Sequence, residues 1–180
     1  MNMHRLLTVL LGTPEEINGG ERCPTYMYRW TLFQPKWGWL KGFGVYVHRF
    51  VADDWSRDMH DHPKRFISIG LKGGYIEWTP ERVTQATIWT GPDGEEVARS
   101  DEYELPWDAR CGRTFRAPWF RTFPAEPIHR ISLLPDRRPC WTLVIVLRAS
   151  RRWGFWHGGR FIPWREYVNG EIADRMKACP

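Results

Sequence analysis

From Tyr26 onward the order of apolar and polar residues follows a period of two, not the helical period of 3.6. Tyr26 to Phe33 alternates imperfectly but is rich in β-forming residues. Val45 to Phe50 alternates cleanly, with Tyr46, His48 and Phe50 on one face and Val45, Val47 and Arg49 on the other. Phe66 to Leu71 is a short apolar strand that runs into a Gly73-Gly74 turn and returns as Tyr75 to Trp78. Phe115 to Phe123 and His129 to Leu134 read as further strands around a proline-rich loop. Cys140 to Leu147 is almost continuously apolar, the mark of a strand buried on both faces. Pro92-Asp93-Gly94 signals a turn inside a long polar excursion. Many short strands with frequent turn residues predict an all-β double-sheet barrel or jelly roll. The ends differ: Leu6 to Leu11 suits a short helix or strand, and Trp164 to Lys177 a terminal helix interrupted at Gly170.

Composition narrows the picture without fixing a function. At 180 residues the chain fits one domain with a sizeable core. We place the barrel core at about residues 26–148 and an aromatic, basic extension at 149–180. A net charge of +5, mostly from arginine, favours anionic partners without requiring nucleic acid. Cys23, Cys111, Cys140 and Cys179 are widely spaced, which argues against a zinc ribbon and suits reduced thiols. The apolar run near the N-terminus only faintly imitates a signal peptide, and no stretch is long enough to span a bilayer, so a cytoplasmic protein is expected. The phosphate loop, dinucleotide fingerprint, nucleophile elbow and HExxH helix are all missing from the sequence.

The chemistry gathers around histidine. In His60-Asp61-His62 two imidazoles one residue apart share a strand face. A third from a distant strand, His129, could complete a half-shell of nitrogen ligands around one divalent ion and leave open positions. His48 points to the same face as Tyr46 and Phe50, either as a supporting or substrate contact or as a core histidine satisfied by a backbone carbonyl. His157 lies in Trp156-His157-Gly158-Gly159, as a lid or as a plain surface residue. Arg65, Arg113, Arg116, Arg121 and Arg130 crowd the same region, where a guanidinium could grip a carboxylate or phosphate. Arg151-Arg152-Trp153 could stack on bases, but without a recognised nucleic-acid motif that partner is not expected.

The run from His60 through the strand to Gly73-Gly74 resembles the first motif of the cupin superfamily, and Pro124, five residues before His129, resembles the second. The resemblance spans roughly residues 43 to 148. The Trp153-Gly154-Phe155-Trp156 tail is also similar to that of short cupin-like proteins encoded by bacteriophages. The chain departs from the cupin pattern at three points. Asp54 stands where a leading glycine is usual, Glu126 replaces the glycine of the second motif, and Arg65 and Phe66 stand where a glutamate ligand is usual.

The resemblance implies a double-stranded β-helix and a metal held by His60, His62 and His129 without a carboxylate. Three-histidine sites in thiol-dioxygenase-like cupins use iron(II) (Fe2+), while Zn2+, Ni2+ or Mn2+ would leave the same sequence. The expected function is therefore a metal-dependent, dioxygenase-like oxidoreductase acting on a small anionic substrate that Arg65 or Arg130 orients. A sugar isomerase or epimerase is the alternative, with Tyr46, His48 or Glu126 moving the proton. A non-catalytic module binding an anionic ligand or nucleotide is the competing class. Cupins often pair through edge strands, which leaves room for a homodimer.

Overall fold

The computed structural model describes residues 2–18, 24–54, 58–80, 88–90, 96–98, 110–123, 128–149, 153–157 and 160–169. A helix, α1 (Met3–Leu11), is capped by the Asn2 side chain, which accepts from the Arg5 amide at 2.9 Å, and stops at Gly12 with φ of 84°. Then come β1 (Glu15–Asn18), β2 (Thr25–Phe33), β3 (Gly44–Phe50), β4 (Met59–His60), β5 (Lys64–Lys72) and β6 (Gly74–Pro80). A small hairpin, β7 (Ile88–Thr90) and β8 (Glu96–Ala98), precedes β9 (Arg110–Arg116), β10 (Trp119–Phe123), β11 (Arg130–Leu133) and β12 (Cys140–Ala149). The chain continues through β13 (Gly154–His157), β14 (Arg160–Pro163) and α2 (Trp164–Asn169).

One sheet has the order β1-β2-β3-β12-β5-β10, and every pairing within it is antiparallel. The other joins β11-β6-β9 to β14-β13-β4 through a bridge between His60 and His129. Setting aside β1, β2, β7, β8, β13 and β14 leaves two facing four-stranded sheets, β3-β12-β5-β10 and β4-β11-β6-β9. Along the chain the strands pass back and forth between these two sheets, apart from the β6–β9 step. That winding is the double-stranded β-helix predicted from the sequence.

The expected single strand from Phe115 to Phe123 is instead two. β9 pairs with β6 in one sheet and β10 with β5 in the other, and Ala117-Pro118 forms the corner between them. Pro118 has no N–H to give a ladder, so pairing ends there. The terminal helix is described over Trp164–Asn169, and the rest of its expected span, like the Pro92-Asp93-Gly94 turn, lies outside the described residues.

The interior is layered. Met27, Phe50, Tyr75, Leu133 and Cys140 plug one end of the barrel, with Phe115 and Trp119 against them. Trp119 lies over Gly70, where any Cβ would meet its ring at 2.2 Å, so this strand position requires glycine. Burial pushes the Cys140 thiol pKa up to about 12, making it an inert filler. On the outer face Trp30, Val47 and Trp141 form a second cluster, covered by Met3 and Leu7 of α1. Each large apolar side chain buried in this way contributes about 1.5–3 kcal/mol. The plug and its outer cover leave the opposite end of the barrel for polar chemistry.

Candidate metal centre

β4 is only two residues long, yet it is tied on both sides. His60 and His129 exchange backbone hydrogen bonds of 3.0 and 2.9 Å, and β13 pairs with Met59 and His60 from the other edge. This closure brings His62 to His129 across 67 positions of sequence, with their Nε2 atoms 2.7 Å apart. The rings of His60, His62 and His129 stand 4.9–5.1 Å from one another, centre to centre. One ligand atom from each lies within 4.8 Å of the other two, so small ring rotations bring all three to about 2.0–2.2 Å from a single ion.

Two of the imidazoles are fixed from behind. His129 Nδ1 lies 2.7 Å from Glu77 Oε1 and donates to it, which leaves Nε2 as a lone-pair donor facing His62. His60 Nδ1 lies 3.1 Å from Asp54 Oδ2, and the Asp54 amide is itself held by the Ile131 carbonyl at 2.9 Å. Glu77 also receives Arg121 Nη2 on its other oxygen at 2.6 Å, and Arg121 reaches the Tyr75 hydroxyl at 3.2 Å. Burial pushes the Glu77 carboxyl up, but the hydrogen bonds and charges of His129 and Arg121 outweigh it and hold the group below its ordinary range. Burial, followed by the neighbouring histidines, holds His62 well below the usual imidazole range. Burial also lowers His129, with Glu77 opposing. Both therefore present the neutral form that a metal requires.

The other candidates fall in different places. Tyr46 and His48 share the inner face, their ring centres 6.1 Å apart. His48 is close enough to His62 for its charge to disfavour protonation there. Its buried Nε2 has no hydrogen-bond partner among the described residues, unlike a core histidine satisfied at every atom. Burial, helped by Arg29, drives its pKa down to about 3. Arg65 is exposed, because strand alternation turns Phe66 inward: the Phe66 ring packs 4.8 Å from His62 and stacks at 4.3 Å on Phe123. Arg130 also does not reach the histidines. It pairs with Trp78 on the opposite face of its strand from Ile131, whose partner is the inward Glu77. His157 is exposed on β13, with Nδ1 2.9 Å from Asp58. Glu126 lies outside the described residues.

Sequence reasoning passed over Glu77, noted Asp54 only as a departure from the cupin pattern, and counted Arg121 only among a crowd of arginines. One signal was present. In Tyr75-Ile76-Glu77-Trp78 a carboxylate takes the same strand face as a tyrosine, and a charge there needs a partner.

No family model matches the chain. No curated protein matches it either. Solved structures similar to it include iron(II)-loaded HppE with the alternative substrate (S)-1-HPP. That match has 8% identity and a TM-score of 0.49, and covers 74% of this chain and 56% of that one. The chain thus spans little more than half the length of that protein. A provisionally assigned mannose-6-phosphate isomerase from Ralstonia eutropha JMP134 is 13% identical, with a TM-score of 0.43, over 75% of this chain and 93% of that one. A cupin superfamily protein from Desulfitobacterium hafniense DCB-2 is also 13% identical, with a TM-score of 0.38, over 74% and 83%. All three scores are below 0.5, and the fold assignment rests on the strand order above. Among the described residues, no helix is long and apolar enough to cross a membrane.

Proposed function

We propose that the protein is a metal-dependent enzyme of the cupin type that holds one divalent ion, Fe2+ first, through His60, His62 and His129. In this reading it is a dioxygenase-like oxidoreductase acting on a small anionic substrate. The observation that carries the proposal is the convergence of three imidazoles, two of them anchored at Nδ1 by Asp54 and Glu77, with Phe66 where a carboxylate ligand is usual. Three neutral nitrogen donors suit Fe2+, Ni2+ and Zn2+, and such an ion, when bound, would keep its double positive charge and open positions for substrate and dioxygen.

The chain's own residues would do the rest. The stacked rings of Phe66 and Phe123 form an apolar wall beside His62 that limits water. Arg121, 3.7 Å over the Phe115 ring and 4.3 Å over Phe123, brings a guanidinium to the inner face, and in this reading it would take the place of Arg65 and Arg130 in orienting an anion. His48, neutral at working pH, would offer a hydrogen bond.

The isomerase or epimerase reading needs a proton-transfer group poised near neutrality. His48 is far too acidic for that role and burial raises the Tyr46 pKa away from neutrality, so that reading would fall to Glu126, which lies outside the described residues. The test is elemental analysis of untagged protein, followed by oxygen-uptake assays on the iron-loaded form with a panel of small carboxylates and phosphonates. Stoichiometric iron with substrate-dependent uptake supports the proposal. Bound metal with ligand binding but no turnover would favour the binding-module reading, and absence of metal affinity would overturn it.

A further inference from the structure

Resting on that metal reading, we propose that the C-terminal segment, residues 153–157 and 160–169, is a working part of the metal centre. In this proposal Asp61 is the positioning residue that couples the docking of β13 to ion binding. Asp61 joins the two ligands His60 and His62, and strand alternation turns its side chain away from theirs, so it cannot be a ligand itself. It is nevertheless completely buried, at 0% exposure. Its Oδ1 accepts the Gly154 amide at 3.0 Å, and its own amide donates to the Gly154 carbonyl at 3.2 Å. This two-point clasp holds the peptide carrying both ligands.

Three further contacts reinforce the clasp. β13 pairs with β4 in the register Phe155 with His60 and Trp156 with Met59. The Phe155 ring lies 6.0 Å from His60 and stacks at 3.9 Å on Tyr167 of α2. The Tyr167 hydroxyl donates to Asp58 Oδ2 at 2.9 Å, which returns the segment to the stretch just before His60. Gly154 has no room for a side chain, since a Cβ there would meet the Ile162 carbonyl at 2.2 Å. The glycine therefore lets β13 and β14 close tightly on each other at the point where the clasp is made.

If docking of this segment fixes the spacing of His60 and His62, thermodynamic reciprocity requires bound metal to strengthen docking by the same factor. The experiment uses the full-length chain and Zn2+ as a redox-silent probe. Zinc affinity is measured by competition titration for wild type, Asp61→Asn and Tyr167→Phe. Amide hydrogen exchange in residues 154–157 is followed with and without zinc. We expect about 10–100-fold weaker zinc binding in Asp61→Asn, as for other residues that orient metal ligands. Tyr167→Phe should weaken it several-fold while its metal-free melting temperature stays near wild type. Exchange in 154–157 should slow with zinc in the wild type and respond less in the variants. Should Asp61→Asn fail to fold, Tyr167→Phe carries the test. Wild-type zinc affinity in all variants that fold, or exchange indifferent to zinc, overturns the coupling and leaves the metal reading intact. Wild type that binds no zinc, cobalt or iron removes both.

Discussion

Glu77 joins two different demands at one carboxylate: Oε1 takes the His129 imidazole at 2.7 Å and Oε2 takes the Arg121 guanidinium at 2.6 Å. The first contact sets which nitrogen of His129 faces the other two histidines, where the proposed ion would sit. The second fixes the carboxylate that sets it and neutralises the interior arginine. Glu77→Gln keeps the shape but loses the charge, so metal affinity should fall by about 10–100-fold. Competition titration against a chromophoric chelator measures it.

Removing one of the proposed ligands is the more severe change. His62→Ala and His129→Ala should each lose stoichiometric metal yet keep a β-sheet circular dichroism spectrum and a cooperative melt, because apolar clusters hold the barrel. A non-cooperative melt in metal-free protein would instead make the ion a structural element.

Anion binding should follow the inward arginine. Arg121→Ala should weaken a small carboxylate or phosphonate by about 1.5–3 kcal/mol, the range for hydrogen bonds to charged groups. Arg65→Ala, at an exposed position, should leave the affinity unchanged. Calorimetric titration of the metal-loaded proteins separates the two, and an equal effect from both would remove Arg121 from the site.

His48 makes stability depend on pH. Its imidazole stays neutral in the folded protein down to about pH 3, whereas in the unfolded chain it takes a proton near pH 6.5. Between these values the unfolded state binds the extra proton, so its contribution is complete above pH 6.5 and is lost as pH falls toward 3. At about 1.4 kcal/mol per pH unit, the fall from pH 6.5 to 4.5 costs roughly 2–3 kcal/mol. His48→Leu should lose less stability than wild type over that interval, as read from denaturant midpoints. Parallel pH profiles would contradict the assignment.

How much of this was legible in the sequence depends on the distance over which each contact acts. The His60-Asp61-His62 spacing is local, so period two alone put both imidazoles on one face. Arg65 stands an odd number of residues from His62, and parity places it on the other face from Phe66. The expectation that it would replace a carboxylate ligand gave position in the motif more weight than alternation. Glu77 was hidden because its partner His129 is 52 residues away and no local pattern pairs them. The corner at Ala117-Pro118 was masked by the β-rich residues on either side, although a proline inside a strand pattern is a reason to divide it.

Gly73 tests the turn between β5 and β6. Its φ of 77° is unfavourable for any side chain, and a Cβ would lie 2.5 Å from the Pro139 carbonyl oxygen. Gly73→Ala should destabilise by about 1–3 kcal/mol, visible as a lower melting temperature with zinc affinity retained.

The pairing of β12 with β3 and β5 carries a consequence for how the molecule is made. Cys140–Ala149 fills the gap between β3 and β5, strands that end at Phe50 and Lys72, with Cys140 opposite Phe50 and Val144 opposite both Tyr46 and Ser68. A chain synthesised from its N-terminus must hold β3 and β5 with open, apolar edges until this last barrel strand emerges. Such edges invite pairing with other chains. Closure is also slow, since it depends on contacts far apart in sequence. The strand that completes the barrel is therefore the step most exposed to aggregation, and yield during expression should respond more to substitutions in Cys140–Ala149 than to equal losses of stability elsewhere.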